Sequence, residues 1–147
     1  MGTPVLFERV LRIREAALGP DHPSMATSLN NLAFLHNAQG RYEEAETLYE
    51  RALEIREAAH GPDHPEVARS LNSLALLYVQ QDQYAEAEPF YLRALAIEEA
   101  TLGPNHPRMA ETLDNYSVLL RETGRPEEAD SLEARAQAIR DSQDSRG

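Results

Sequence analysis

Gly19-Pro20-Asp21-His22-Pro23 returns as Gly61-Pro62-Asp63-His64-Pro65 and again as Gly103-Pro104-Asn105-His106-Pro107, each copy 42 residues after the last. A loop repeated at a fixed period means that one supersecondary unit has been copied along the chain. The copying extends beyond the loop: residues 19–60 and 61–102 share 24 identities over 42 positions. The loop also dictates its flanks. Glycine ends a helix in a backbone conformation that other residues avoid, and proline suits the first position of the next helix, where its missing N–H would have had no partner. The Asp-His or Asn-His ahead of that proline supplies capping candidates. Each unit thus divides into a helix A, beginning at Pro23, Pro65 or Pro107, and a helix B, beginning at Tyr42 or Tyr84.

Apolar residues at helical spacing fill both segments. Helix A carries Leu29, Leu32, Ala33 and Leu35 in one copy and Leu71, Leu74, Ala75, Leu77 and Tyr78 in the next, ending near Gly40, Asp82 or Gly124. Helix B carries Tyr42, Ala45, Leu48, Tyr49, Ala52, Leu53 and Ile55, repeated as Tyr84, Ala87, Phe90, Tyr91, Ala94, Leu95 and Ile97. Ala33, Ala45 and Ala52 end at Cβ, so A and B can approach closely there while larger neighbours such as Tyr49 fill the remaining space. Pro89 removes one backbone donor early in the second B helix and predicts a slight bend.

The ends differ from the middle. Leu6, Phe7, Arg9, Leu11, Ile13 and Arg14 stand 42 residues before Leu48, Tyr49, Arg51, Leu53, Ile55 and Arg56, so residues 1–18 read as a half repeat, a lone B helix. Full repeats follow at 19–60 and 61–102. Residues 103–140 form a third, cap-like repeat, because Pro126, Glu133 and Gln137 put non-aromatic or polar residues at the tyrosine, tyrosine and leucine places of helix B. The polar stretch 141–147 reads as a frayed tail. At the other end, Leu6, Phe7, Val10 and Leu11 are expected to lack an A-helix partner. Either self-association by end-to-end stacking or a longer array, of which this is a fragment, would cover them.

Composition removes several function classes. The 14 Lys and Arg against 25 Asp and Glu give a formal net charge of −11, the wrong sign for displacing counterions from nucleic acid or settling on an anionic membrane. Glu43, Glu44, Glu46, Glu50, Glu54 and Glu57 fall on one helix, and a solubilising face accounts for them more simply than partner steering. No apolar run of about 18 residues or signal pattern occurs, and the chain has no cysteine, which together suit a cytoplasmic protein without a disulfide framework. Histidines one repeat apart are too distant to share one metal ion, so the loop histidines read as structural. Neighbouring acids such as Glu43 and Glu44, or Glu127 and Glu128, point in different directions on a helix and form no catalytic pair. No nucleophile–base arrangement or phosphate-binding glycine loop appears, so no enzyme activity and no cofactor are expected.

In the first copy Leu29, Leu32, Ala33, Gly40, Tyr42, Ala45, Tyr49 and Ala52 match a motif that resembles the tetratricopeptide repeat. Leu29 stands where that motif often has tryptophan, Ala33 stands for its glycine, and the closing proline is absent. The period of 42 exceeds the usual value of about 34. The longer period, the Ala-Leu-Glu-Ile-Arg-Glu ending, the Gly-Pro-Asp-His-Pro loop and the Leu-Asn-Asn-Leu-Ala start look like the kinesin-light-chain subtype over residues 4–140. The resemblance implies an all-α, right-handed superhelical solenoid of antiparallel helix pairs, about three and a half repeats and seven helices, with A helices on the concave face. It also implies a protein or peptide partner, held as an extended or helical segment in the concave groove.

Groove residues are then those of helix A outside the A–B packing stripe: Thr27, Asn30, Phe34 and Asn37; Arg69, Asn72, Leu76 and Val79; Glu111, Asp114, Val118 and Arg121. Asn30, Asn72 and Asp114 form a ladder one repeat apart. An asparagine offers both donor and acceptor, which suits a peptide backbone, although hydrogen bonds between neighbouring helices would use the same groups. Phe34, Leu76 and Val118 form an apolar strip, for contact with a ligand or for burial against the next A helix. Arg69 and Arg121 suit an acidic ligand, and Glu111 and Asp114 oppose one. Some relatives of this fold grip a C-terminal carboxylate with basic groove residues, but Asn30, Phe34, Ser73, Glu111 and Asn115 at those places leave the clamp without them.

Overall fold

The structure, a computed structural model, describes residues 3–19 and 21–146. Among these described residues seven helices follow in order: α1 (Thr3–Leu18), α2 (Pro23–Ala38), α3 (Tyr42–His60), α4 (Pro65–Gln80), α5 (Tyr84–Leu102), α6 (Pro107–Glu122) and α7 (Pro126–Arg146). The A helices are α2, α4 and α6, and the B helices are α1, α3, α5 and α7. Among the described residues there is no strand.

Each A helix starts the same way. His22, His64 and His106 sit in extended backbone, and the Nδ1 of each ring accepts the backbone N–H two residues on, at 3.2, 3.1 and 3.1 Å. Proline follows as the first helical residue. The loop histidines therefore satisfy orphan donors of a helix start. Helix A stops at Gly40, Asp82 or Gly124, with φ of 76°, 60° and 77°. Aspartate tolerates this left-handed conformation better than most residues.

Helix B stops at a stricter joint. Gly61 and Gly103 have φ/ψ of 87°/164° and 92°/160°, a region essentially reserved for glycine. A Cβ at Gly61 would meet nothing within 4 Å, so substitution there is penalised by the backbone alone. Gly61→Ala is expected to lower stability by about 1–3 kcal/mol with no loss of side-chain packing. Urea unfolding measures it, and an unchanged midpoint would contradict the joint's role.

The core forms in layers linking only near neighbours. Leu11, Met25, Ala26, Leu29, Leu32, Ala52 and Ile55 join α1, α2 and α3. Ala33, Ala45, Tyr49, Leu74 and Leu77 join α2, α3 and α4. Ala75, Ala87, Tyr91, Tyr116, Leu119, Leu120 and Ala129 join α4 through α7. The alanines at the A–B crossings are fully buried, as the close approach requires. Outside this core the B helices are laced by ion pairs one repeat apart: Arg51–Glu15, Arg93–Glu57 and Arg135–Glu99 at 3.1, 3.4 and 3.8 Å. Such partly exposed pairs contribute little each. Pro89 is accommodated inside α5 on its exposed side, and the helix continues through it.

Both ends of the array have contacts of their own. The tail expected to fray is helical to Arg146: the Ser145 hydroxyl bonds the Asp141 carbonyl, and Gln143 reaches back to the Asn105 carbonyl at 3.2 Å. At the start, Phe7 and Leu11 do have a partner, because both pack against the cluster that includes Met25 and Leu29 of α2. A B helix touches two A helices, and Leu11, like Leu53 one repeat on, faces the following one. The bare face of α1 is made instead by Val5, Leu6, Val10 and Ile13, which are 49%, 58%, 43% and 64% exposed.

Candidate functional site

The A helices set the geometry of one face. Phe34, Leu76 and Val118 stand one repeat apart and remain 62%, 40% and 52% exposed, so burial against the next A helix does not account for them. Thr27 and Glu111 are also exposed. Asn37 links α2 to α4 by donating to Gln80 Oε1 at 2.6 Å, and beside it Phe34, Tyr42 and Gln80 border a cavity of about 390 Å³. Val79 is half-buried in the cluster of Ala75, Tyr84 and Tyr116.

Asp114 and Arg121 are turned toward α7. Arg140 donates to the Asp114 carboxylate, and Arg121 donates to Glu133 at 2.5 Å and to Asp130 at 2.7 Å. Hydrogen bonds to Asp130 and Glu133 raise the Arg121 guanidinium. The ladder of Asn30, Asn72 and Asp114 therefore changes character at its third rung, where an acid meets a cation from the adjacent B helix.

The remaining expected residues converge. Asn30, Arg69, Asn72, Leu76 and Glu111 line one cavity of about 340 Å³ spanning α2, α4 and α6. Asn72 Nδ2 donates to Thr112 Oγ1 at 2.9 Å, while the Thr112 hydroxyl lies 3.1 Å from the Arg108 carbonyl. That hydroxyl has one hydrogen to give, so it accepts from Asn72, and the amide orientation follows. Asn30 Oδ1 and Asn72 Oδ1 are buried without a donor.

Glu98, Arg108 and Thr112, not among the residues expected from sequence, also line this cavity. Glu98 belongs to α5, behind the A-helix layer, and is 1% exposed, with Oε1 lacking any donor. Burial pushes its carboxyl up to about 7, Glu111 adds to the rise, and Thr112 and Arg108 oppose it. One signal was available: residue 98 stands one repeat after Arg56 and two after Arg14, a reversal of charge in a matched column. Arg14 donates to Ser28 at 2.6 Å and Arg56 to Ser70 at 2.9 Å. Thr112 is the next hydroxyl in that series, and it meets an acid.

Glu66 gathers the nearby cations. Arg69 lies 3.3 Å from it, Arg56 3.8 Å and Arg108 3.9 Å. Burial alone would raise the Glu66 carboxyl, but the three arginines outweigh it and hold the group below its ordinary value. Among the described residues, no cluster of three His, Cys, Asp or Glu has metal-site geometry, and no helix is long and apolar enough to cross a membrane. The cavity is lined mainly by polar and charged side chains, with Leu76 of the apolar strip at its border.

A tetratricopeptide repeat family model matches residues 24–97 and 74–142, and a second model of the same description matches residues 5–24. No curated protein matches the chain significantly. Among solved structures, the chain is similar to BtubC (BKLC) from P. vanneervenii at 28% identity and TM-score 0.86, covering 96% of this chain and 56% of that one. It is similar to a single-substitution form of a kinesin light chain of nearly identical TPR-like repeats from Podosopora anserina, at 28% identity and TM-score 0.78, covering 98% and 68%. The TPR domain of Arabidopsis FLU shares the fold at 20% identity and TM-score 0.69, covering 80% and 95%. The chain spans little more than half the length of BtubC.

Proposed function

Because the chain belongs to the tetratricopeptide repeat family, of the kinesin-light-chain type, we propose that it is a non-catalytic scaffold holding a peptide segment of a protein partner in the concave groove of α2, α4 and α6. Tetratricopeptide folds generally mediate protein–protein interactions. The observation that carries the reading further is the pairing of an exposed apolar strip, Phe34, Leu76 and Val118, with buried, donorless acceptors on Asn30 and Asn72 along the same face. Apolar side chains of a peptide would cover the strip, and its N–H groups would satisfy the acceptors. Residues 27, 37, 69, 79 and 111 border this track. Asp114 and Arg121 contribute through their exchange with α7. A chain without cysteines is compatible with work in a reducing, cytoplasmic compartment.

Dodecapeptides selected from a random library on the immobilised protein provide the test. Asn30→Ala combined with Asn72→Ala is expected to weaken the selected peptides by about 10–100-fold, one to two powers of ten for two lost polar contacts. Unchanged affinity in a folded variant would contradict the groove assignment.

A second reading has its own observation. The exposed Val5, Leu6, Val10 and Ile13 make one apolar face on α1, which a second copy would cover by end-to-end stacking. Sedimentation is expected to show a dimer that Leu6→Lys dissociates, and a monomer at high protein concentration would rule this reading out.

A further inference from the structure

We propose that the cavity between α2, α4 and α6 is the seat of a basic side chain, arginine in preference to lysine, from the peptide that the groove holds. The inference rests on the groove reading and adds the chemistry of the occupant. Hydrogen-bond accounting comes first. Asn30 Oδ1, Asn72 Oδ1 and Glu98 Oε1 are buried acceptors without donors, and all three side chains line this cavity. Its cationic donors are already engaged: Arg69 lies 3.3 Å and Arg108 3.9 Å from Glu66. The unmet demand is for donors, and a ligand carboxylate would bring none.

The repeat supplies an independent observation. At the equivalent place in the two earlier copies the group is a guanidinium, exposed in Arg14 and buried in Arg56, bonded to Ser28 and Ser70 respectively. In the third copy Glu98 occupies that column beside Thr112, so the column itself holds an acid in place of a guanidinium, and the nearby Arg108 is shared with Glu66. A guanidinium arriving from a ligand would restore the missing charge and meet several acceptors with its five N–H donors, where an ammonium has three. The net charge of −11 favours the approach of a cation. Thr112 and Glu111 face the site from α6 and Asn72 from α4, with Glu111 adding a second negative charge.

The probes are capped pentapeptides Ala-Ala-X-Ala-Ala with X as arginine, lysine, citrulline or glutamate, titrated against the whole chain by NMR. The arginine peptide is expected to shift the side-chain amides of Asn30 and Asn72 and to bind about tenfold tighter than the citrulline peptide, with lysine between them. In Glu98→Gln that ratio should collapse toward one. Should this variant fail to fold, the wild-type ratio gives the same answer, because it should fall between pH 8.5 and pH 5.5 as Glu98 protonates among Arg69, Arg108 and Glu111. Equal or tighter binding of the glutamate peptide, a ratio that Glu98→Gln or pH leaves unchanged, or no shift at either asparagine overturns the inference. Shifts along Phe34, Leu76 and Val118 in those cases leave the groove reading standing, whereas shifts confined to α3 and α5 remove both.

Discussion

Tyr91→Ala is expected to destabilise the protein by about 3–5 kcal/mol, the range for deleting a fully buried aromatic ring. Tyr91 is 0% exposed, lies among residues of α4, α6 and α7, and stacks on Tyr116 with ring centroids 5.7 Å apart. The neighbours have little freedom to close the space, because Ala75, Ala87 and Ala129 are already the smallest side chains that keep the helices at this distance. In a solenoid each repeat is stabilised mainly by its neighbours, so loss at this layer weakens the joint between repeats as well as the pair itself. The control is Tyr91→Phe. The Tyr91 hydroxyl is buried without a partner and burial drives its pKa upward, so removing the oxygen is expected to be neutral or slightly stabilising. Urea unfolding of both variants separates ring from hydroxyl. A mild effect of alanine, or a large loss with phenylalanine, would contradict the packing described.

Glu98→Gln is expected to raise stability at pH 8 by about 1–3 kcal/mol, with the advantage vanishing near pH 4. Burial lifts the folded-state carboxyl to about 7 from its ordinary 4.5. An acid whose folded value is raised favours the folded state while it is protonated. That stabilisation is fully present below the unfolded value and is lost as pH rises through the folded one. Glutamine keeps the shape, cannot ionise and is spared the loss. Burial is the main cause; Thr112 and Arg108 reduce the effect and Glu111 adds to it, while Arg69 also borders the cavity. Thermal melts of both proteins from pH 4 to pH 8.5 measure it. Parallel curves would mean that the carboxylate is solvated or paired.

The architecture was legible because its punctuation is local. Glycine, histidine and proline fix a helix stop, a cap and a helix start within five residues, whatever surrounds them. A 42-residue period then places every later element. The alanines announced close A–B crossings for the same reason: a side chain that ends at Cβ has one structural use at a buried helical position. Phe34, Leu76 and Val118 were legible as a strip, and their exposure required the superhelix to be seen. Pairings between helices were less accessible. Arg121 suits an acidic group, and Asp130 and Glu133 reach it from α7, which depends on how two helices are rotated against each other. The 42-residue register pairs Phe7 and Leu11 with a preceding A helix, whereas a B helix also packs on the helix that follows it. Glu98 was hidden by its setting on a B helix, the layer read as scaffold. Only the comparison of its column, arginine twice and then glutamate, set it apart.

The most direct measurement of groove binding is chemical-shift mapping of a library-selected peptide on the isotope-labelled chain. The expected result is saturable shifts along the concave face, at Asn30, Phe34, Asn72, Leu76 and Val118, with α3 and α5 unmoved on their outer sides. Shifts confined to the outer faces of α3 and α5, or to Val5, Leu6, Val10 and Ile13 of α1, would contradict the concave groove as the site of binding.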